Sequence, residues 1–253
     1  MRVTFLGTGT SQGVPVITCS CDVCNSIDFK DKRLRSSIYV EVDDLRLVID
    51  TGPDFRQQMI RERIKKLDAV LFTHQHKDHT AGLDDIRSFN FSQRKDMPIY
   101  GSEEVLQQIK QEFSYAFSEN KYPGVPQIQP IPITRNPFKI MDLNVIPIEV
   151  MHYKLPVFGY RIKDFTYITD AKTIGIKEAE KIRGTKFLVL NALQEDPHIS
   201  HFTLDEAVEM AKNINAEKTY FTHMSHRIGL HQKINSTLPA NIHLAYDGLM
   251  IEM

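Results

Sequence analysis

The sequence carries almost no net charge, no long hydrophobic run and few cysteines. Its 253 residues include 31 basic and 32 acidic side chains, for a formal net charge of −1. No global field therefore attracts the chain to nucleic acid or to an anionic membrane, and any phosphate binding must be local. No run approaches the ~18 apolar residues needed to span a bilayer, and the N-terminus lacks the apolar region of a signal peptide. We expect no membrane partner and a cytoplasmic location.

The three cysteines, Cys19, Cys21 and Cys24, are an odd number and lie too close together to join distant parts of a fold. We interpret this as a reducing compartment in which the thiols stay free or bind a metal. About 42% of the residues are apolar, which is enough for a sizeable core. Because no repeat or linker is visible, we predict a single domain over residues 1–253.

Short apolar runs alternate with turn signals and amphipathic stretches along the whole chain. This pattern predicts an α/β protein with two packed sheets and helices outside them, a four-layer αββα sandwich. The predicted strands are Val3–Gly7, Ser37–Val42, Arg46–Asp50, Ala69–Thr73, Asn144–Met151, Val157–Ile162, Thr166–Thr169, Phe187–Asn191, Thr219–Thr222 and one around His243–Glu252. The predicted helices are Asp54–Lys66, Glu103–Phe117, Ile176–Ile182 and Thr203–Asn213, and the proline-rich Tyr122–Pro137 is predicted to be extended or looped.

The most informative segment follows the apolar run 67–72 and contains His74, His76, Asp78 and His79. Imidazole and carboxylate groups are good ligands for zinc, manganese or iron, and a loop at a strand end can direct them to one point. The alternative is a solvated loop that is rich in histidine. Three more ligand types follow apolar runs further along the chain, and each taken alone also fits an exposed loop. They are His152, Asp170 and His223.

The spacing H-x-H-x-D-H of this loop resembles the signature of the metallo-β-lactamase superfamily. The resemblance implies two divalent ions, zinc or manganese with iron as a further option, and hydrolysis by a hydroxide that bridges them. It places His74, His76 and His152 on one ion, Asp78, His79 and His223 on the other, and Asp170 between them. Asp50 matches another superfamily position, and we expect its carboxylate to orient the histidine-rich loop through hydrogen bonds.

The turn 5–15, the segment Thr51–Phe55 and the Cys19–Cys24 motif resemble the branch of the superfamily that contains the phosphonate-operon cyclic phosphodiesterases. This resemblance implies a small phosphodiester substrate of the cyclic phosphoribosyl phosphate type. It also implies a small zinc-binding insertion at about 15–35 within the domain. A homodimer is common in that branch, but no stretch of the sequence marks an interface.

Two smaller sites complete the predicted set. The spacing C-x-C-x₂-C lets Cys19, Cys21 and Cys24 surround one structural zinc, with His226 as the fourth ligand and His231 in reserve. The alternative is three free cysteines without a metal. His201 resembles an additional active-site histidine of the branch and is predicted to act with Asp78 in catalysis by assisting the leaving group. His198 is the alternative for that role, and both histidines also fit surface loop positions.

Three other functions compete with small-phosphodiester hydrolysis. A tRNA 3′-end endonuclease would need a basic arm, whereas Tyr122–Pro137 carries only Arg135 as a cation, which argues against a nucleic acid partner. A non-hydrolytic metal-binding homologue would have altered ligands, whereas every expected ligand type is present. Hydrolysis of a carboxylic ester or thioester stays open, because the same metal pair can act at a carbonyl carbon.

Overall fold

The computed structural model describes residues 1–253, which form two compact units, each built on one β-sheet. Unit 1 comprises Met1–Gly7, Arg35–Ile133 and Gly248–Met253, and unit 2 comprises Thr8–Leu34 and Thr134–Asp247. The single domain with a zinc-binding insertion stays a prediction. None of the helices has the length and apolar character needed to cross a lipid bilayer.

The fifteen strands are β1 (Arg2–Gly7), β2 (Ser37–Val42), β3 (Leu45–Ile49), β4 (Ala69–Leu71), β5 (Met97–Gly101), β6 (Ile128–Pro132), β7 (Phe138–Ile140), β8 (Leu143–His152), β9 (Leu155–Ile162), β10 (Phe165–Ile168), β11 (Thr173–Ile174), β12 (Phe187–Asn191), β13 (Lys218–Thr222), β14 (Ile242–Leu244) and β15 (Met250–Glu252).

The nine α-helices are α1 (Asp22–Asn25), α2 (Phe55–Arg61), α3 (Lys77–Thr80), α4 (Arg87–Gln93), α5 (Glu103–Glu112), α6 (Ser114–Phe117), α7 (Ile176–Ile182), α8 (Leu204–Ile214) and α9 (His231–Asn235). Short 3₁₀ helices lie at Phe29–Asp31, Leu83–Ile86 and His226–Ile228.

The sheet of unit 1 has the order β15-β1-β2-β3-β4-β5-β6. Strands β1, β2 and β3 are antiparallel, with a turn at Asp43 and Asp44 between β2 and β3, whereas β3, β4, β5 and β6 are parallel. Buried side chains such as Val48, Phe55 and Val70 form its core. Because parallel strands end at the same edge of a sheet, the loops after β3 and β4 emerge side by side.

The sheet of unit 2 has the order β11-β8-β9-β10-β12-β13-β14, with β7 paired to β8. Strands β10, β12, β13 and β14 are parallel, and β8 runs in their direction because it is antiparallel to β9, which is antiparallel to β10. The carboxyl ends of β8, β10 and β13 therefore lie at one edge. Helix α8 packs on this sheet and begins with a capping box of Thr203 and Glu206.

Four predicted elements differ from the structure. The single helix predicted at Glu103–Phe117 is divided at Phe113 into α5 and α6. Helix α2 ends at Arg61 rather than at Lys66, because Arg63 adopts a left-handed backbone (φ 53°) that terminates it without a glycine. Part of the proline-rich stretch forms the strand β6. Proline has no N–H to donate, and it is tolerated here because β6 is an edge strand with a neighbour on one side only. The single C-terminal strand was wrong, because β14 joins the sheet of unit 2 and β15 that of unit 1.

Candidate metal centres

Unit 1 brings together the predicted ligands of the loop that follows β4. His74 and His79 are fully buried, and His74 Nε2 lies 3.0 Å from His76 Nδ1. Two nitrogens bound to one ion at the usual distances are separated by about 3.0–3.4 Å, so this spacing fits a shared metal. Asp78 Oδ2 lies 3.2 Å from His79 Nε2. The loop thus places a second pair of ligand atoms next to each other.

Asp50, directly after β3, holds this loop through a buried carboxylate. Its Oδ1 accepts the backbone N–H of Thr73 at 2.9 Å, and its Oδ2 accepts the Thr73 hydroxyl at 2.8 Å and His79 Nδ1 at 2.7 Å. Burial raises the pKa of the Asp50 carboxyl, and the bonds from His79 and Thr73 oppose this rise. Asp50 therefore orients the loop in the way that the sequence predicts.

These bonds also determine which nitrogens of the imidazoles carry hydrogen. The Thr73 hydroxyl gives its only hydrogen to Asp50, so it accepts one from His74 Nδ1 at 3.0 Å. His79 Nδ1 donates to the same carboxylate. In both histidines Nε2 is then the acceptor nitrogen. In this tautomer the lone pair of Nε2 can bind a metal.

Close contacts with the backbone after β3 also hold the loop that follows β4 in position. A Cβ on Gly52 would lie 2.1 Å from the carbonyl oxygen of Asp78, so only glycine allows this approach. The N–H of Thr51 donates to the carbonyl of His79 at 2.8 Å. The loop is thus positioned by main chain as well as by Asp50.

Unit 2 brings together the other predicted ligands at the carboxyl edge of its sheet. Asp170 follows β10 and His223 follows β13, and Asp170 Oδ1 lies 3.3 Å from His223 Nε2. His152 ends β8, and its Nδ1 lies 3.0 Å from the carbonyl oxygen of Ser200. Because a carbonyl can only accept, His152 Nδ1 carries the hydrogen and Nε2 is left as the acceptor.

Three of these strand-end residues adopt left-handed backbone conformations, with φ of 66° at Asp50, 54° at Asp170 and 56° at His223. Such conformations are uncommon for residues other than glycine and cost free energy that the surrounding structure must supply. Such strain is often found at functional sites. The histidine tautomers show that the donor set of each unit fits divalent metal ions.

His201 lies beside the unit 2 ligands. Its ring stacks on that of His223 with centroids 4.9 Å apart, and its Nδ1 lies 3.9 Å from Asp170 Oδ1. Burial lowers the pKa of His201 to about 3, while Asp170 opposes the shift. His201 is therefore neutral at pH 7. His198 lies further out, half-buried, with ring centroids 5.1 Å from His201, and burial lowers its pKa as well.

Cys19, Cys21, Cys24 and His226 form a separate cluster within unit 2, and their ligand atoms all lie within 4.8 Å of one another. The sulfurs of Cys19 and Cys21 each lie 3.3 Å from His226 Nδ1. A tetrahedral zinc separates sulfur and nitrogen ligands by about 3.6 Å, so the cluster fits this ion. The reserve ligand His231 is not part of the cluster.

Local hydrogen bonds favour the thiolate of Cys21, whereas burial favours the thiol of Cys24. The N–H of Cys24 donates to Cys21 Sγ, and this bond, followed by that from His226, lowers the pKa of Cys21 to about 6. Burial raises the pKa of Cys24 to about 11, although the N–H of Val16 donates to its sulfur. A metal ion would be needed to hold all three sulfurs deprotonated together.

Sequence reasoning missed the neutral hydrogen-bonding partners of the ligands. Thr73 and Ser200 orient His74 and His152, and the hydroxyl of Thr10 lies 3.3 Å from His223 Nε2. Thr10 stands in the conspicuous Thr8-Gly9-Thr10 turn, which was the only signal for it. Threonine and serine are too common in loops for their roles to be read without the fold.

The family model described as "Beta-lactamase superfamily domain" matches residues 45–224. The chain belongs to this superfamily. Its structure is similar to the crystal structure of a new diphosphatase from the PhnP family, with a TM-score of 0.93 and 40% identity, covering 100% of this chain and 97% of that one. The predicted metallo-β-lactamase fold, with two mixed sheets flanked by helices, and the resemblance to this branch are confirmed.

Two relatives are longer than this chain, which matches only part of each. An octanoyltransferase of Porphyromonas gingivalis is 40% identical over 252 residues, which are 98% of this chain and 51% of that protein. A ribonuclease Z of Staphylococcus epidermidis is 28% identical over 216 residues, which are 83% of this chain and 60% of that protein. The chain thus spans about half the length of the first relative and less than two thirds of the second.

Proposed function

We propose that this chain is a two-metal hydrolase that cleaves a small phosphodiester. The observation that carries the proposal is the fixed tautomer of His74, His79 and His152, each with Nδ1 as donor and Nε2 as acceptor. Hydrogen bonds that hold three imidazoles in the ligating form are typical of metal sites. The likeness to a diphosphatase supports phosphorus as the centre of attack.

We propose the ligand assignment that the superfamily signature implies. His74, His76 and His152 would hold one divalent ion, Asp78, His79 and His223 would hold the other, and Asp170 would serve both. When bound, such a pair supplies Lewis acidity and makes hydroxide available at neutral pH. Zinc, manganese and iron all suit this donor set. The cluster of Cys19, Cys21, Cys24 and His226 is proposed to hold one structural zinc.

Asp50 and His201 are proposed to have separate roles beside the metal ligands. Asp50 holds the loop of unit 1 in place and keeps His79 in its ligating tautomer. His201 is neutral at pH 7 and donates a hydrogen bond to the phosphoryl group or the leaving oxygen. A bound phosphate anion raises the pKa of a nearby imidazole, so the substrate itself favours protonation of His201 before the leaving group departs.

The leaving group distinguishes these roles of His201. As a general acid, it is worth about 10²–10⁴ in rate with a poor alkoxide leaving group and much less with p-nitrophenolate. We therefore expect His201→Ala to lose far more activity on an alkyl phosphodiester than on bis-p-nitrophenyl phosphate. Equal losses on both would assign His201 to phosphate binding. His198→Ala is the matched variant, and the larger effect in that variant would transfer the role to His198.

Acyl hydrolysis is the second candidate, and the similarity to an octanoyltransferase favours it. That relative is about twice as long, so its activity can belong to the part that this chain does not match. Activity on bis-p-nitrophenyl phosphate and on an octanoyl thioester, each titrated with zinc and manganese, separates the two. Metal-dependent thioester hydrolysis without phosphodiester hydrolysis would overturn the proposal.

RNA processing has less support. The segment Tyr122–Pro137, where a tRNA-gripping arm was considered, carries only Arg135 as a cation, and this side chain pairs with Glu149 at 2.6 Å. We propose a small-molecule substrate on this basis. The closely spaced Cys19, Cys21 and Cys24, which suit a reducing compartment, support the proposal of a cytoplasmic location. Cleavage of a tRNA precursor at rates above those on small phosphodiesters would reverse this order.

A further inference from the structure

A fully buried arginine lies at the base of the cysteine-containing insertion. The main chain of Arg33 pairs with Val14 through bonds of 2.7 and 2.8 Å. Its side chain is 0% exposed, and its Nη1 donates to the carbonyl of Ala245 at 3.3 Å and to Met224 Sδ at 3.4 Å. Nε and Nη2 have no hydrogen-bond partner. A buried charge with so few bonds is costly, so a role beyond packing is expected.

Three carboxylates balance this charge without bonding to it directly. The Asp31 carboxylate lies 4.0 Å from Arg33 Nη2, and those of Asp247 and Asp28 contribute attraction. Burial lowers the pKa of Arg33 to about 10, so the guanidinium stays charged at neutral pH. Asp247 in turn accepts the N–H of Leu34 and the hydroxyl of Thr8, both at 2.8 Å. The arginine is therefore held in one place by the insertion and the turn beside it.

Met224, the residue that Arg33 contacts, lies between the two proposed metal sites. It follows His223 of the His/Asp centre and precedes His226 of the cysteine cluster by two residues. Its N–H donates to the carbonyl of Thr8 at 2.9 Å, and its carbonyl accepts the N–H of Thr10 at 3.1 Å. Thr10 also contacts His223 through its hydroxyl. Movement of Met224 would therefore move His223.

We propose that Arg33 is a positioning residue that couples the cysteine-containing insertion to His223. Zinc in the cysteine cluster fixes His226 and the insertion, the insertion fixes Arg33, and Arg33 fixes Met224 and thereby His223. The metal affinity of the His/Asp centre then depends on whether zinc holds the cysteine cluster in one conformation. This inference rests on the proposed function, because it needs both metal sites to exist.

The test is cobalt(II) binding to the wild type and to Arg33→Met, measured by competition with a chromogenic chelator. Thiolate-bound cobalt absorbs strongly in the near ultraviolet and cobalt bound by histidine and aspartate does not, so the two sites are followed separately. We expect Arg33→Met to weaken the His/Asp site about 10–100-fold. Arg161→Met is the control, because the Arg161 side chain also donates to main-chain carbonyls, those of Lys163, Lys181 and Arg183, but contacts no proposed ligand.

The outcomes separate the inference from the proposed function. Absence of His/Asp-bound cobalt in the wild type would reject the proposed function, whereas equal affinities in the wild type and Arg33→Met would reject the coupling alone. If Arg33→Met does not fold, the wild type is treated with a mercurial that removes metal from the cysteines, with circular dichroism as a check on folding. Weaker cobalt binding at the His/Asp site is then expected, and unchanged binding would overturn the inference.

Discussion

Replacement of Asp50 by asparagine should weaken metal binding while leaving the metal-free fold nearly intact. Asparagine accommodates the left-handed backbone at this position (φ 66°), which alanine does not. Its side-chain oxygen can still accept the N–H of Thr73 in place of Oδ1. The change is therefore confined to the other oxygen, which becomes an NH₂ group.

That oxygen accepts two hydrogens, from the Thr73 hydroxyl at 2.8 Å and from His79 Nδ1 at 2.7 Å. An amide NH₂ only donates, so both partners must turn into acceptors. The proton of His79 then moves to Nε2, which loses the lone pair that a metal needs. The Thr73 hydroxyl is released to donate to His74 Nδ1, so His74 is driven to the same wrong tautomer.

The expected losses of metal affinity and of folding stability follow from the hydrogen bonds that change. Disturbing the groups that orient metal-ligating histidines lowers metal affinity about 10–100-fold, or about 1.4–2.8 kcal/mol. Without metal, the variant exchanges charge-assisted hydrogen bonds for neutral ones, which costs about 1–2 kcal/mol of folding stability. The loss of metal-binding free energy should therefore be similar to or somewhat larger than the loss of folding stability, and the two are measured separately.

Chelator competition measures the affinity, and nitrogen NMR of labelled histidine reports the tautomers of the metal-free protein. Asp68→Asn is the matched control, since Asp68 also accepts a backbone N–H, from Arg46 at 2.9 Å, and pairs with Lys95 away from the loop. Wild-type affinity in Asp50→Asn, or unchanged histidine tautomers, would refute the reasoning.

Three further changes test other parts of the structure. Asp170→Asn should reduce bound metal at both positions because the proposed bridging carboxylate loses its charge, and two full equivalents by metal analysis would reject bridging. Gly52→Ala should destabilise the fold by about 1–3 kcal/mol, because its Cβ would lie 2.1 Å from the Asp78 carbonyl oxygen; Gly175→Ala, with nothing within 4 Å, should change thermal unfolding little. Burial lowers the pKa of His231 from its ordinary value of 6.5 to about 4. Between these two pH values the unfolded chain binds more protons than the folded chain. The free energy of unfolding of the wild type therefore falls as the pH falls, by up to about 2 kcal/mol. His231→Gln should lack this component, and equal pH slopes in denaturant unfolding would contradict it.

The positions of the proposed ligands could be predicted from the sequence because each follows an apolar run that forms a buried strand. His152, Asp170 and His223 stand at the ends of β8, β10 and β13, and the topology places these ends at one edge. A local pattern was enough because position in a strand already determines where the next residue lies.

What could not be predicted depends on contacts between distant residues. The partner of His152 is a backbone carbonyl 48 positions away, at Ser200, and no local pattern indicates such a bond. Likewise, the left-handed Arg63 ends helix α2 although its residue type does not signal it. The C-terminal apolar run contains the break that separates β14 from β15, and only the pairing of each strand assigns it to its sheet.

The pairing of β1 with β15 affects the order of events during synthesis. Arg2 lies opposite Glu252, so the outer edge of β1 stays uncovered until the ribosome has made the residues of β15. At about 5–20 residues per second, that interval lasts about 12–50 s. An uncovered strand edge can pair with another chain, so a nascent protein shortened before Met250 should aggregate as it is made, even though every proposed metal ligand is present.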